Sequence, residues 1–281
     1  TETVTTIAGT GEQHMVGAID NVRGTHGALG RYDGPALDVK LSSPWDVLFV
    51  PSTAEVVVAM AGNHTLWSFD PKDGTIRILS GTMNEGLVDG DGETAWFAQS
   101  SGLDLGPAGK VFVADSETSA IRCLDPATGE VSSLVGVGLF DFGFRDGDST
   151  QARLQHPLGV AVLPDGSIAV ADTYNGAIRR WDPVEGQLST LERDFDEPSD
   201  LLVDASGETP ELIVVETNRH RLVRLPVPEK LLQVDEGASV SQRSRTPIAG
   251  GTMTIDVRFA APSGQKLDDR WGDPTQLKLS V

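Results

Sequence analysis

Short apolar runs recur along the whole chain, and each is bounded by turn residues. Runs of about four to eight apolar or β-branched residues between clusters of Gly, Pro, Asn and Asp are typical of strands. Helical periodicity is nearly absent, so the pattern predicts an all-β fold. One stretch appears twice in nearly the same form, as GKVFVADSETSAIRCLDP at 109–126 and GSIAVADTYNGAIRRWDP at 166–183.

This stretch belongs to a longer repeat with four copies. Each copy has an apolar stretch of two short strands preceded by another strand, and the first three copies continue through an Asp-Pro turn into a fourth strand. A unit of four short strands cannot bury both of its faces alone, whereas units stacked around an axis cover one another. The repeat therefore predicts a β-propeller, with one blade per unit. The predicted units are 41–81, 97–136, 154–192 and 195–228.

The two ends of this region do not complete a blade. The fourth unit has no clear outer strand, and residues 3–11 read as an outer strand of another blade. Two arrangements account for this. Either further blades precede the chain in a longer protein, or the strand at 3–11 closes a ring of four.

The repeated motifs resemble NHL repeats. The residues that carry the resemblance are VADTYNGAIRRWD, TIAGTG and the Asp-Gly stretches between units. More narrowly, the chain is similar to bacterial thioredoxin-linked NHL-repeat proteins, in which a thioredoxin-like domain precedes a six-bladed propeller. The resemblance implies that residues 1–230 are propeller and that 231–281 begin a C-terminal β domain, with a half-buried strand at MTIDVRF (253–259). No thioredoxin-like segment precedes the units here, so redox chemistry is not carried over to this chain.

Composition narrows the choice of partners. The formal net charge is −19 and no basic run is present, which argues against nucleic-acid binding. Cys123 is the lone cysteine, so an intrachain disulfide and a Cys-x-x-Cys motif are excluded. No apolar run approaches the roughly 18 residues of a membrane span. We favour a cytoplasmic location, although one cysteine leaves the compartment open.

Candidate metal ligands occupy one position of the repeat. Three of the four copies carry a carboxylate there, and a ring of these side chains facing a central channel would suit calcium or magnesium. The aligned residues are Met60, Asp115, Asp172 and Glu216. The Asp-Gly loops at 89–93 and 146–149 lack the spacing of an EF-hand and are interpreted as solvated turns. The aligned residues His64, Ser119, Gly176 and His220 are interpreted as loop packing.

A second pair of repeat positions changes together. Asp115 is followed seven residues later by Arg122, and Asp172 is followed seven residues later by Arg179. The first unit has Met60 and Trp67 at these places, so the acid and the base are replaced as a pair. This covariation within one chain predicts two charge-assisted Asp–Arg bonds with a structural role.

These observations favour a non-catalytic binding or scaffold propeller, a module of a larger thioredoxin-linked protein. We expect no catalytic residue, no cofactor, and a protein or small molecule bound on a propeller face. The upstream part of the same parent protein would be a further partner. The alternative is a propeller-type lyase or lactonase with a divalent metal, Ca²⁺ or Mg²⁺, in its central channel. That enzyme would need three or more inward-facing carboxylates or imidazoles.

Overall fold

The computed structural model describes residues 3–13, 32–228 and 231. The chain divides into two units, 1–234 and 235–281, and every described residue lies in the first. The predicted C-terminal β domain, including MTIDVRF, therefore falls outside the described residues except for Leu231. We find no candidate membrane-spanning helix in the residues that the structure describes.

Nearly all regular structure in the described residues is β-strand. Short 3-10 turns occur at Ala36–Asp38, Ala61–Asn63, Pro107–Gly109 and Thr173–Asn175. The strands are β1 (Asp33–Pro35), β2 (Pro44–Val50), β3 (Glu55–Met60), β4 (Thr65–Asp70), β5 (Thr75–Ser80), β6 (Ser100–Leu105), β7 (Val111–Asp115), β8 (Ala120–Leu124), β9 (Val131–Val135), β10 (Gly147–Asp148), β11 (Gly159–Val162), β12 (Ile168–Asp172), β13 (Ala177–Asp182), β14 (Gln187–Glu192), β15 (Pro198–Asp204), β16 (Glu211–Glu216) and β17 (Arg221–Pro226).

The strands form four antiparallel sheets, each within one stretch of the repeat. Blade 1 has the order β1-β5-β4-β3-β2, blade 2 β6-β7-β8-β9, blade 3 β10-β14-β13-β12-β11, and blade 4 β15-β16-β17. The predicted all-β propeller class is confirmed. The Asp-Gly inserts extend the outer edges, since β1 pairs with β5, β10 pairs with β14, and Gly90 forms a bridge with Val131 of β9.

Apolar cores fill the spaces between neighbouring blades. The core between blades 1 and 2 includes Val57, Leu66, Phe97 and Val113. Two similar clusters join blade 2 to blade 3 and blade 3 to blade 4. The far face of blade 1 packs on the insert that contains Tyr32, Ala36 and Val39. Each blade therefore buries a face only because a neighbour covers it.

The first strand of each blade, here called the inner strand (β2, β6, β11 and β15), meets the inner strand of the next blade. The approach is so close that side chains are excluded at two positions. A Cβ on Gly102 would lie 2.6 Å from the Leu158 carbonyl oxygen, and one on Gly159 would lie 2.7 Å from Cα of Asp200. Glycine at these places lets adjacent backbones touch.

Residues 3–13 differ from the prediction. They contain no strand, apart from an isolated bridge between Gln13 and Leu41. The amide of Gly9 donates to the Ala36 carbonyl (2.8 Å) and that of Thr10 to the Val39 carbonyl (3.0 Å). An outer strand needs the third strand of its own blade as a partner, and the described residues supply none, so this segment bonds to the insert of blade 1 instead.

Candidate functional site on the loop face

The loops between the second and third strands lie against the segments that precede the inner strands. We call this surface the loop face. In each blade one amide of the loop donates to a carbonyl of the segment before the inner strand, at 3.0 to 3.3 Å. The four bonds are Gly62 to Ser42, Glu117 to Ala98, Tyr174 to Gln155 and Asn218 to Asp196. Gly62, Glu117, Tyr174 and Asn218 are thus equivalent positions.

Left-handed backbone recurs at two positions of this face. The aligned loop residues have φ of 58° (His64), 51° (Ser119), 59° (Gly176) and 50° (His220), as tight loops require. A second set, before the inner strands, has φ of 50° (Ser43), 56° (Gln99), 52° (His156) and 52° (Glu197). Strained non-glycine backbone of this kind is held only where the surroundings fix it.

Side chains of the first set support the second. The amide of Gln99 donates to Nδ1 of His64 (3.1 Å), and the amide of His156 donates to Oγ of Ser119 (3.2 Å). His64 and Ser119 therefore link one blade to the next across the loop face. This places His64 in the loop-packing role that its repeat position predicts.

The candidate metal ligands Asp115, Asp172 and Glu216 are fully buried at the ends of β7, β12 and β16. Each accepts a backbone N–H from the segment before the inner strand of its own blade, namely Ala98 (2.8 Å), Gln155 (2.7 Å) and Asp196 (2.8 Å). In blade 1 the Ser42 amide donates to Sδ of Met60 at 3.2 Å. Within the described ranges, no group of three His, Cys, Asp or Glu side chains could hold a metal ion.

The structure brings both predicted Asp–Arg pairs together. Nη1 of Arg122 lies 3.1 Å from Oδ2 of Asp115, and Nη1 of Arg179 lies 2.7 Å from Oδ2 of Asp172. All four side chains are fully buried. Burial raises the pKa of Asp115, and the facing Arg122 opposes that rise. Burial likewise raises the pKa of Asp172, opposed by the Gln155 amide, Asn175 and Arg179.

Each buried arginine also reaches an Asp-Gly insert. Nη2 of Arg122 lies 2.9 Å from Oδ1 of Asp89, and Nη2 of Arg179 lies 2.5 Å from Oδ1 of Asp146. Both insert carboxylates are about half exposed. The interpretation of these loops as solvated turns is therefore wrong for Asp89 and Asp146, which anchor the arginines. A common spacing of 33 residues between insert Asp and Arg is the signal that could have shown this.

Three further aspartates hold the inner strands. Oδ2 of Asp46 accepts the Leu103 amide (2.7 Å) of blade 2, and Oδ2 of Asp104 accepts the Val162 amide (2.6 Å) of blade 3. Asp200 accepts its neighbour's amide, from Leu201, at 2.8 Å. Burial raises the pKa of all three carboxyls, and the charge of Asp104 adds to the rise at Asp46 and Asp200. Sequence reasoning missed this set, although Asp46 and Asp200 share one repeat position; Asp104 lies at another.

A groove of about 400 Å³ opens on the loop face between blades 3 and 4. Its lining residues are Thr173, Tyr174, Gly176, Phe195, Asp196 and Glu197. Tyr174 is 58% exposed and stacks on His156, with ring centroids 4.4 Å apart. Nδ1 of His156 lies 3.6 Å from Glu117, and burial lowers the pKa of the imidazole. Cys123 does not line this groove. It is partly buried on β8, where burial raises the pKa of its thiol.

Antiparallel sheets of three to five strands, in contact through their inner strands, define the class as a β-propeller. Within that class, residues 154–181 match the family model of the NHL repeat. This match spans the lead-in segment and strands β11 to β13 of blade 3. The chain thus contains an NHL repeat, as its motifs predict.

Two curated relatives are longer than this chain, and one of them is named for the same repeat. The chain is 31% identical over 298 residues to NHL repeat-containing protein 2 of Homo sapiens, covering 82% of this chain and 41% of that protein. It is 44% identical over 159 residues to Protein SUPPRESSOR OF QUENCHING 1, chloroplastic, of Arabidopsis thaliana, covering 54% of this chain and 15% of that protein. The chain therefore spans well under half the length of these relatives.

Among solved structures, an auxiliary nutrient binding protein of Bacteroides thetaiotaomicron aligns with a TM-score of 0.50 at 13% identity. The alignment covers 63% of this chain and 46% of that one. Likeness at this level of identity concerns the fold alone.

Proposed function

We propose that the chain is a non-catalytic binding and scaffold propeller, and a module of a larger protein of the thioredoxin-linked kind that its motifs resemble. The observation that carries this proposal is that the first and last blades each expose apolar side chains at core positions, with no further blade packed on them among the described residues.

The uncovered face of blade 4 is visible at Leu222. Its equivalents in the other blades pair with the same position of the preceding strand, and all three are fully buried. Leu66, Ile121 and Ile178 are each 0% exposed, whereas Leu222 is 68% exposed. An apolar residue in a core position is exposed here because no following blade covers it among the described residues.

On blade 1 the insert covers much of the face that points away from blade 2, but the inner strand of that face is exposed, as Val47 shows. Its equivalents Leu103, Val160 and Leu201 are 8%, 3% and 6% exposed, since each packs on the blade before it. Val47 is 62% exposed, and Trp45 and Phe49 on the same strand are exposed with it. These two faces fit further blades, which supports a role as one part of a larger propeller.

The non-catalytic part of the proposal rests on how the charged side chains are used. Asp115, Asp172 and Glu216 each accept a backbone amide, and each also pairs with an arginine. The inner-strand carboxylates of Asp46 and Asp104 join neighbouring blades. Groups already engaged in this way stabilise a rigid frame and are poor candidates for acid–base chemistry.

The experiment compares this chain with the longer polypeptide that includes further repeats. Leu222→Ser should change the free energy of unfolding of the isolated chain by less than about 0.5 kcal/mol, because the side chain is exposed. In the longer protein the same change should cost about 2–4 kcal/mol, because Leu222 becomes core. Val184→Ser, at a turn residue that is 79% exposed, is the matched control and should be neutral in both.

Two results would contradict the proposal. One is a neutral Leu222→Ser in the longer protein. The other is a stable dimer of the isolated chain that buries Leu222. Such a dimer would show that the exposed surfaces bind a second copy of the chain and not further blades. Calorimetric titration of Ca²⁺ into metal-free protein tests the enzyme alternative, since tight stoichiometric binding would favour a channel metal.

A further inference from the structure

The groove between blades 3 and 4 combines an aromatic wall with carboxylates. Tyr174 contributes the wall, and its stacking on His156 fixes the ring in place. Phe195, partly buried, lies beneath the opposite lip. The hydroxyl of Thr173 donates to the Pro198 carbonyl at 2.8 Å, which ties the two lips together. The groove is therefore a preformed feature of the blade junction.

Part of the negative charge of this groove is not neutralised by neighbouring side chains. The Glu197 carboxylate is exposed and has no hydrogen bond or ion pair within the described part of the chain. The Asp196 carboxylate is held loosely, by Nδ2 of Asn218 (3.3 Å) and by Nε of Arg219 (3.9 Å). Arg219 itself is occupied by Glu216 (2.9 Å) and by the Asp194 carbonyl (3.1 Å). The surplus at the groove is thus one carboxylate beside an exposed aromatic ring.

The equivalent junctions lack this combination. Between blades 1 and 2 the matching residues are Gly62 and Gln99. Between blades 2 and 3 they are Glu117 and His156, which face each other at 3.6 Å. Only the junction of blades 3 and 4, among those that the structure describes, offers an aromatic ring together with a free carboxylate.

We propose that this groove binds a lysine or arginine side chain of a partner protein. The cation would lie against the Tyr174 ring, as ammonium and guanidinium groups do on aromatic faces, and would pair with Glu197. The inference rests on the proposed binding function and names the chemistry of the partner. The acidic chain, with net charge −19, would also favour the approach of a basic segment.

The test is an NMR titration of the full chain with the peptides acetyl-Gly-Lys-Gly-amide and acetyl-Gly-Arg-Gly-amide. Shifts should concentrate at residues 173–176 and 195–197, and the Nε-acetyl-lysine peptide should bind at least tenfold more weakly. Glu197→Gln should weaken binding about tenfold, which corresponds to about 1.4 kcal/mol. Tyr174→Ala should weaken it about fivefold, and Tyr174→Phe should leave it within about twofold, because the ring is kept.

Glu208→Gln is the matched control, since it removes the same charge from the exposed turn between β15 and β16. Equal weakening by Glu208→Gln and Glu197→Gln would show that only the general negative field attracts the peptides, and would overturn the site. Equal binding of lysine and acetyl-lysine, or no binding, would overturn it too. Because Leu222→Ser tests the scaffold separately, failure of the groove would leave that result standing.

Discussion

Blade 1 and blade 2 have residues of different chemistry at the same two positions of the repeat. In blade 2, Asp115 and Arg122 form a buried ion pair that continues to Asp89. In blade 1, Met60 and Trp67 take their places, and Trp67 packs on Tyr32 with ring centroids 6.0 Å apart. In both blades the residue at the end of the second strand still accepts the amide before the inner strand. The repeat therefore keeps the backbone contact and allows either an apolar or an ionic filling.

Comparison of the two blades indicates what the buried ion pairs contribute to stability. Two charges taken out of water regain their hydration energy only when every partner is in place, so such a pair need not exceed apolar packing in stability. Removing one partner is strongly destabilising, because the remaining charge is buried and unpaired. Nε of Arg122 and Nε of Arg179 already lack a hydrogen-bond partner within the described residues. The loss of a further partner should therefore destabilise either pair strongly.

The largest effect is expected from Arg122→Ala. Asp115 would be left buried without its cation, and the free energy of unfolding at neutral pH should fall by about 3–5 kcal/mol. Urea denaturation followed by tryptophan fluorescence measures this. Arg224→Ala is the control, because Arg224 is exposed and water screens its ion pairs, so this change should be close to neutral. A loss below about 1 kcal/mol for Arg122→Ala would remove the distinction between the blades.

The next effect tests whether blade 2 accepts the apolar solution of blade 1. Asp115→Met combined with Arg122→Met should be more stable than Arg122→Met alone by at least about 1 kcal/mol, because no charge stays buried. The introduced thioether sulfur would also be available to the Ala98 amide, as the sulfur of Met60 is to the Ser42 amide. Unfolding free energies of both singles and the double give the coupling. Strict additivity would mean that the pair does not act as a unit.

A smaller effect is expected at the outer end of the chain of charges. Asp89→Asn should cost about 1–2 kcal/mol, since Asp89 receives Arg122 and also the amide and hydroxyl of Ser133 at 2.9 and 2.7 Å. Asp141→Asn makes the same change at an exposed carboxylate 3.9 Å from Arg153 and should be neutral within about 0.5 kcal/mol. Equal costs would place Asp89 among ordinary surface charges.

The smallest effect concerns the ion pair of blade 1, which is partly exposed. The two bonds from Arg77 to Glu55, 2.6 and 2.7 Å, hold the pKa of Glu55 below its ordinary value. A carboxyl with a lowered folded pKa stabilises above its unfolded pKa and loses that contribution as the pH falls through the folded value. Glu55→Gln should therefore be less stable than the unchanged chain at pH 7, by less than about 1 kcal/mol, and the gap should narrow as the pH falls through the lowered pKa of Glu55. A gap that does not narrow on acidification would contradict this.

Much of the architecture follows from the repeat itself. Asp-Pro and Gly turns mark the strand boundaries, and the recurrence of apolar runs gives four units that correspond to the four sheets. The two Asp–Arg pairs were also predictable, because Met60 and Trp67 replace both members at once. A repeated chain contains its own comparison, so positions that change together can be read as contacts.

Other features could not be read in this way. Asp89 and Asp146 look like turn residues, and their bonds to arginine depend on how the insert folds back over the blade. The second set of left-handed residues contains no glycine, so nothing in its composition signals positive φ. The groove beside Tyr174 arises where two blades meet, and its residues come from positions that differ in every unit.

Strand β17 lies at an open edge of the described structure. In the described structure it is the last strand of a three-stranded sheet, whereas blades 1 to 3 have a fourth strand there. An open strand edge is a template for pairing with a second molecule, and natural β proteins discourage such aggregation with charged side chains and proline. β17 carries Arg221 and Arg224 and ends at Pro226. These charged residues and the proline discourage pairing with a second molecule. The edge of β17 nevertheless has room for a fourth strand of the same blade.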